Sequence, residues 1–189
     1  MDIYKEESKN AFNAFLSSSV KIKASRRRIL FSLPIHTISN NLLFKILKHN
    51  NVSAKSIKVI QESIEFQKEI FKNTIEQSII EDEISILSKE EFEEAKPFLF
   101  LADIFYDKKL YYTYEEYLEH LDLTKKYERE NKNYKLSVNN NNTFKNIQIS
   151  VCEENWVMIS KANSPSIHFV IHHPKLRNAI ENFIPPVVE

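Results

Sequence analysis

The sequence predicts an α+β fold: a helical N-terminal part with one long helix, then a C-terminal four-stranded antiparallel β-meander packed by helices. Two patterns carry this expectation. Between Tyr134 and Phe183, four short runs alternate apolar with polar residues and are separated by Asn-, Ser- and Pro-containing turns. Period two marks strands, and short connections make successive strands antiparallel neighbours. Upstream, Ile57, Ile60, Ile64, Phe71, Ile75 and Ile79 instead recur at helical spacing over about six turns. The expected division is a helical part at 1–80 and an α+β domain at 84–189, with Glu81-Asp82-Glu83 as the linker. Within the second part, the meander spans 134–171 and the closing helix 174–183.

Each element has its own signal. Ile3, Ala11, Phe12, Ala14, Phe15 and Leu16 suit a helix over 2–17, ended by Ser17–Ser19. Val20 to Leu33 is ambiguous: Val20-Lys21-Ile22-Lys23 alternates like a strand, while Arg26–Leu30 suits either state. Leu42, Leu43, Ile46 and Leu47 mark a short helix that stops near Asn50, and Ser53 caps the long helix. Ile84–Leu87 reads as a short strand. Ser88 with Glu91, and Thr113 with Glu116, form capping boxes that open helices ending near Pro97 and Asn131. Phe98–Tyr106 reads as helical. In the meander the runs are Tyr134–Val138, Phe144–Val151, Trp156–Ile159 and Ile167–Ile171, the last with Ile167, Phe169 and Ile171 towards the core. Pro174 suits a first helical turn, and Leu176, Ala179, Ile180 and Phe183 follow at helical spacing until Pro185–Pro186.

The 189 residues contain no glycine, where average usage of about 7% would give roughly 13. Walker loops, dinucleotide fingerprints, kinase lids and nucleophile elbows all depend on glycine to bring the backbone close to a ligand or through a sharp turn. Those classes are excluded. Asparagine takes over left-handed turns at Asn50–Asn51 and Asn139–Asn142. The single cysteine, Cys152, rules out an intramolecular disulfide and argues against a cysteine-based zinc site. No apolar run is long enough for a membrane span and the N-terminus lacks the basic-then-apolar order of a signal peptide, so a cytoplasmic location is expected.

The formal charge is zero but unevenly spread. Residues 1–60 hold 11 Lys and Arg against 3 Asp and Glu, whereas 61–130 hold 9 against 19. The basic front either docks on the acidic middle or faces a polyanion. Lys21, Lys23, Arg26, Arg27 and Arg28 are its candidate nucleic-acid-binding residues, five cations within eight positions. The dense tyrosines supply the candidate ligand-binding residues Tyr111, Tyr112 and Tyr117, joined by Trp156 and His168 of the meander, because such rings combine apolar area with a polar tip. His168 and His172 are four apart on one strand, hence about 13 Å apart, too far to share a metal without a bend. No catalytic residue, metal ligand or cofactor is assigned.

Four segments carry a family resemblance: Lys89-Glu90-Glu91-Phe92-Glu93, Tyr111-Tyr112-Thr113-Tyr114-Glu115-Glu116-Tyr117-Leu118, Asn146-Ile147-Gln148-Ile149, and Trp156-Val157-Met158-Ile159-Ser160-Lys161 through Ile167-His168-Phe169-Val170-Ile171-His172-His173-Pro174-Lys175-Leu176. Together, over about 88–183, they resemble the C-terminal, non-DNA-binding half of bacterial helix-turn-helix transcriptional regulators. The resemblance implies a part that senses a ligand or mediates oligomerisation. The leading expectation is a non-enzymatic regulatory module that binds a ligand or partner. Nucleic-acid binding through 21–28 and metal-dependent hydrolysis are the alternatives. Expected partners are a second copy of the chain along the Ile57–Ile79 seam, a small-molecule or peptide effector, and DNA, with no membrane.

Overall fold

The computed structural model describes residues 3–101, 109–139, 147–161 and 167–184. The helices are α1 (Ile3–Ser19), α2 (Asn40–His49), α3 (Ala54–Ile75), α4 (Lys89–Ala95), α5 (Tyr114–Glu130) and α6 (Pro174–Phe183), with a 3-10 turn at Ile35–Thr37. The strands are β1 (Arg26–Ile29), β2 (Ile80–Ile84), β3 (Phe98–Leu99), β4 (Leu110–Tyr111), β5 (Tyr134–Val138), β6 (Ile147–Cys152), β7 (Trp156–Lys161) and β8 (Ile167–Ile171). Six of them make one sheet in the order β5-β2-β1-β6-β7-β8, while β3 and β4 pair separately.

The α+β class holds, but the four-stranded antiparallel meander does not. The main sheet is mixed: β1, β2 and β5 run parallel, and β6, β7 and β8 are antiparallel to their neighbours. Tyr134–Val138, expected beside the next strand, is separated from it by two strands and forms an edge of the sheet. The connection explains the error. β5 follows α5, and a helical crossover returns the chain parallel to β2 rather than into a hairpin. Tyr134 and Leu136 then pack with Phe71, Ile75 and Ile80 instead of within a meander.

Two interior strands of the sheet are built from charged segments. Arg26 to Ile29 pairs residue by residue with Ile80 to Glu83, so the Glu81–Glu83 segment expected to be a linker is a strand. Ile80, Asp82 and Ile84 are buried, with Glu81 and Glu83 half-buried between them. The sheet therefore draws strands from both sides of the expected 80–84 boundary.

Local signals place the helices. Ser53 Oγ accepts from the Ser56 amide at the start of α3, and the capping boxes Ser88/Glu91 and Thr113/Glu116 form with both reciprocal bonds. Pro174 occupies the first turn of α6. Among the described residues, three take left-handed backbone conformations: Asn51 (φ 52°), Lys96 (φ 47°) and Glu154 (φ 58°). Phe98–Leu99, expected to be helical, is a strand against Leu110–Tyr111, and 102–108 lie outside the described residues.

α3 ends at Ile75, one turn short of the expected seam. Ile60 and Ile64 are buried against Leu42, Leu43, Ile46 and Leu47 of α2, and Phe71 and Ile75 against Ile80 and Tyr134. Each such side chain contributes about 1.5–3 kcal/mol, and this burial is met within one chain. α1 lies over Cys152, Trp156 and Met158, in register with Arg26 and Arg28 on one face of the sheet. α6 covers the other face at Ile149, Val151 and Val157 through Ile180 and Ile184.

Helices on both faces divide β8 between two covers, so the expected single core face of Ile167, Phe169 and Ile171 holds only in part. His168 and Val170 face α1, with the His168 ring stacked on Phe12 at 4.6 Å. Ile171 packs under α6, but Ile167 and Phe169 are exposed, Phe169 by 59%. Among the described residues no helix is long and apolar enough to cross a membrane.

Candidate functional site: a cleft and a polar cavity along the central strand

Two parallel neighbours, β1 and β2, end side by side, and the chain leaves each of them for a helical crossover. Between the departing segments lies a cleft of about 440 Å³. Leu30 to Leu33 from the end of β1 and Ser85 to Leu87 from the end of β2 form one wall; Glu94 and Ala95 of α4, Phe98 of β3, and Tyr117 of α5 face them. Concave clefts that combine apolar side chains with a few fixed polar groups are where small molecules bind. The Tyr117 hydroxyl accepts from the Leu87 amide at 3.1 Å and donates to Ser85 O at 3.3 Å, so α5 holds the β2 loop in shape. Burial pushes the Tyr112 and Tyr117 phenols up, and both stay neutral donors. Glu91 is engaged in its capping box, which leaves the Glu94 carboxylate as the acidic group of the cleft open to a ligand.

A smaller cavity of about 110 Å³ lies on the face of β1 covered by α1 and α3. Its floor is Arg26 and Arg28 of β1 with Ser150 of β6, and its walls include Trp156, His36 and Phe71. Arg28 donates from Nε and a terminal nitrogen to Asp82 at 2.6 and 2.5 Å, and the Tyr134 hydroxyl donates to the same carboxylate at 2.8 Å. Burial opposes the Arg28 charge, yet the Asp82 carboxylate outweighs it and holds the guanidinium pKa above its ordinary value. Burial, then the Asp82 charge, drives Tyr134 up, so it remains protonated. Among the described residues Arg26 meets neutral partners: it donates to Ser19 O at 2.6 Å and to Thr74 Oγ1 at 3.4 Å, and lies 5.9 Å from the centre of the Trp156 ring. His36 stacks on Phe71 with centroids 3.3 Å apart, and burial, then the Arg28 charge, keeps its imidazole neutral.

A third polar group is wholly internal. His120 Nδ1 meets the Tyr112 hydroxyl at 2.9 Å and Nε2 meets Thr37 Oγ1 at 3.1 Å, while Thr37 donates to Pro34 O and is bonded to Thr124 Oγ1 at 2.8 Å. With the proton on Nε2, each of these groups is satisfied. Burial pushes His120 down to about 3.

The residues expected to bind ligand are divided by this geometry. Tyr112 and Tyr117 line the cleft, and Trp156 lines the polar cavity. Tyr111 is exposed on β4, and His168 is bonded to Ser160 Oγ at 2.9 Å beneath α1. The expected polyanion footprint is divided too. Lys21 and Lys23 are exposed, Arg26 and Arg28 lie on the cavity face, and Arg27 on the opposite face donates to Ile184 O at the end of α6 at 3.0 Å. Contacts between the basic front and acidic middle do form, in Arg28–Asp82 and in Lys45–Glu119 at 2.7 Å. Among the described residues no three His, Cys, Asp or Glu side chains gather to hold a metal ion.

The sequence reading missed Phe31, Glu94, His36, Ser150 and Asp82. For Asp82 a signal existed. In Ile80-Glu81-Asp82-Glu83-Ile84, a strand period puts one carboxylate between two isoleucines on a single face, which requires a buried cation opposite. No family model matches the sequence, and comparisons with curated proteins and with solved structures found no significant match.

Proposed function

We propose that this protein is a non-enzymatic regulatory module whose effector is a small molecule bound in the cleft at the ends of β1 and β2. The observation that carries the reading is a 440 Å³ crevice whose lining is divided almost evenly between apolar side chains (Leu, Ile, Phe, Pro) and polar groups of Ser, Glu and Tyr. That volume falls within the range of small-molecule sites, about 300–1,000 Å³. Apolar walls favour a flat or aliphatic body, and the Glu94 carboxylate at the rim favours an amine or hydroxyl on it. The absence of the glycine-dependent catalytic loops supports binding over turnover.

A thermal-shift panel of aromatic amines and alcohols, tyramine, tryptamine and indole among them, tests this reading. Members that bind should raise the melting temperature with concentration. Ala95→Phe, on an exposed helix end that lines the cleft, should abolish the shift with little change in the unliganded melting temperature. A panel without shifts, or shifts that persist in Ala95→Phe, would overturn the reading.

A further inference from the structure

Four buried polar atoms without a hydrogen-bond partner among the described residues belong to side chains that line the small cavity under α1: Arg26 Nε, His36 Nε2, Ser150 Oγ and Trp156 Nε1. Their residues are 8, 8, 3 and 4% exposed. Buried polar groups are nearly always satisfied, and leaving one orphaned costs about 1–3 kcal/mol. Four around one cavity amount to an unfilled set of partners. Their chemistry has one sign. Arg26 Nε and Trp156 Nε1 donate only, Ser150 has a hydroxyl proton free to donate, and neutral His36 donates from Nε2 in one tautomer.

Charge points the same way. Arg28 is neutralised by Asp82, but among the described residues Arg26 has no ion pair, and its hydrogen bonds go to a carbonyl and a hydroxyl. Its cross-strand neighbour Cys152 supplies no countercharge, because burial raises the thiol pKa and keeps it protonated. A buried cation without a counterion is unfavourable, and an anion beside it removes that cost. About 110 Å³ is room for several waters, at roughly 30 Å³ each, or for one small anion.

We infer that the cavity between α1 and α3 is a binding site for a small oxyanion, a phosphate or a carboxylate, held by Arg26, Trp156, Ser150 and His36. Arg26 supplies the charge, while Trp156 and Ser150 fix the oxygens from the β6–β7 side. Phe12 and Leu16 line the same cavity from α1, so the helix acts as its cover. The site is separate from the cleft and does not depend on it.

Trp156 is the only tryptophan and therefore reports directly. The full chain is titrated at low ionic strength with inorganic phosphate, sulfate and acetate, with sodium chloride at matched ionic strength as the control. A saturable change in Trp156 emission, with a melting temperature that rises with concentration, is expected for at least one oxyanion and not for chloride. A response to phosphate or sulfate identifies a tetrahedral ligand; a response to acetate alone identifies a carboxylate. Ser150→Ala should leave the anion-free melting temperature unchanged or higher, since that hydroxyl has no partner among the described residues to lose, yet weaken binding about tenfold. Arg26→Lys, which keeps the charge but loses Nε, should weaken it further. Flat emission with all three oxyanions, an equal response to chloride, or undiminished binding by Ser150→Ala would each overturn the inference and leave a cavity that holds water only.

Discussion

Arg28 and Asp82 stand opposite each other on adjacent parallel strands, joined by two hydrogen bonds of 2.6 and 2.5 Å, and the Asp82 side chain is fully buried. The guanidinium also lies 5.0 Å from the centre of the Phe71 ring. This pair allows two charged segments to serve as interior strands of a sheet.

Removing one partner should therefore cost far more than its Coulomb attraction in water suggests. Asp82→Ala is expected to destabilise by about 3–5 kcal/mol, because it strands Arg28 and frees the Tyr134 hydroxyl. Glu119→Ala breaks the exposed Lys45–Glu119 pair, with side chains 57 and 40% exposed, and should cost about 1 kcal/mol or less. Urea denaturation of the two variants measures the contrast; equal costs would deny the pair its structural role.

Acid should destabilise the fold through two histidines. His36 and His120 are both held below the ordinary 6.5, His120 to about 3, so the unfolded chain takes up protons first as pH falls. The stability linked to them is fully present above about pH 6.5 and is lost as pH drops towards 3. For His120 the expected slope between pH 6 and 5 is about 1.4 kcal/mol per pH unit, and His36 adds to it in the same direction. His120→Gln should remove its share of that slope, measured by urea denaturation across the range. A slope unchanged by the variant would contradict the buried, neutral imidazole.

Lys96 and Glu154 hold left-handed backbone, a conformation that glycine adopts without steric cost. Lys96→Gly and Glu154→Gly should each stabilise by about 0.5–1 kcal/mol, since a side chain in that region is penalised by about 1–2 kcal/mol. Denaturant midpoints decide it. Destabilisation by either change would mean that side-chain contacts outweigh the strain.

What the sequence disclosed followed the range of each interaction. The capping boxes at Ser88/Glu91 and Thr113/Glu116 were legible because both partners lie within four residues, and the strands β6, β7 and β8 because their alternation is local. β1 and β2 were obscured because Arg26-Arg27-Arg28 and Glu81-Asp82-Glu83 look like solvated charge until they are set side by side, 54 residues apart. β5 is legible as a strand but its neighbour is not, since strand pairing is set by the α5 crossover and not by the strand's own residues. For β8, alternation fixed which residues share a face but not which face α1 covers. In the site, Tyr112, Tyr117, Trp156 and Arg26 were singled out by residue type. Their separation into a cleft and a cavity depends on the sheet order, which no local pattern encodes.

The cleft is tested most directly by methyl NMR of Leu- and Ile-labelled protein titrated with the strongest member of the amine and alcohol panel. The account predicts shifts concentrated at Leu30, Leu33, Ile84, Ile86 and Leu87, which line the crevice, with Ile147 and Ile180 on the far face unmoved. Shifts centred on Ile147 and Ile180, or none while the ligand binds, would contradict it.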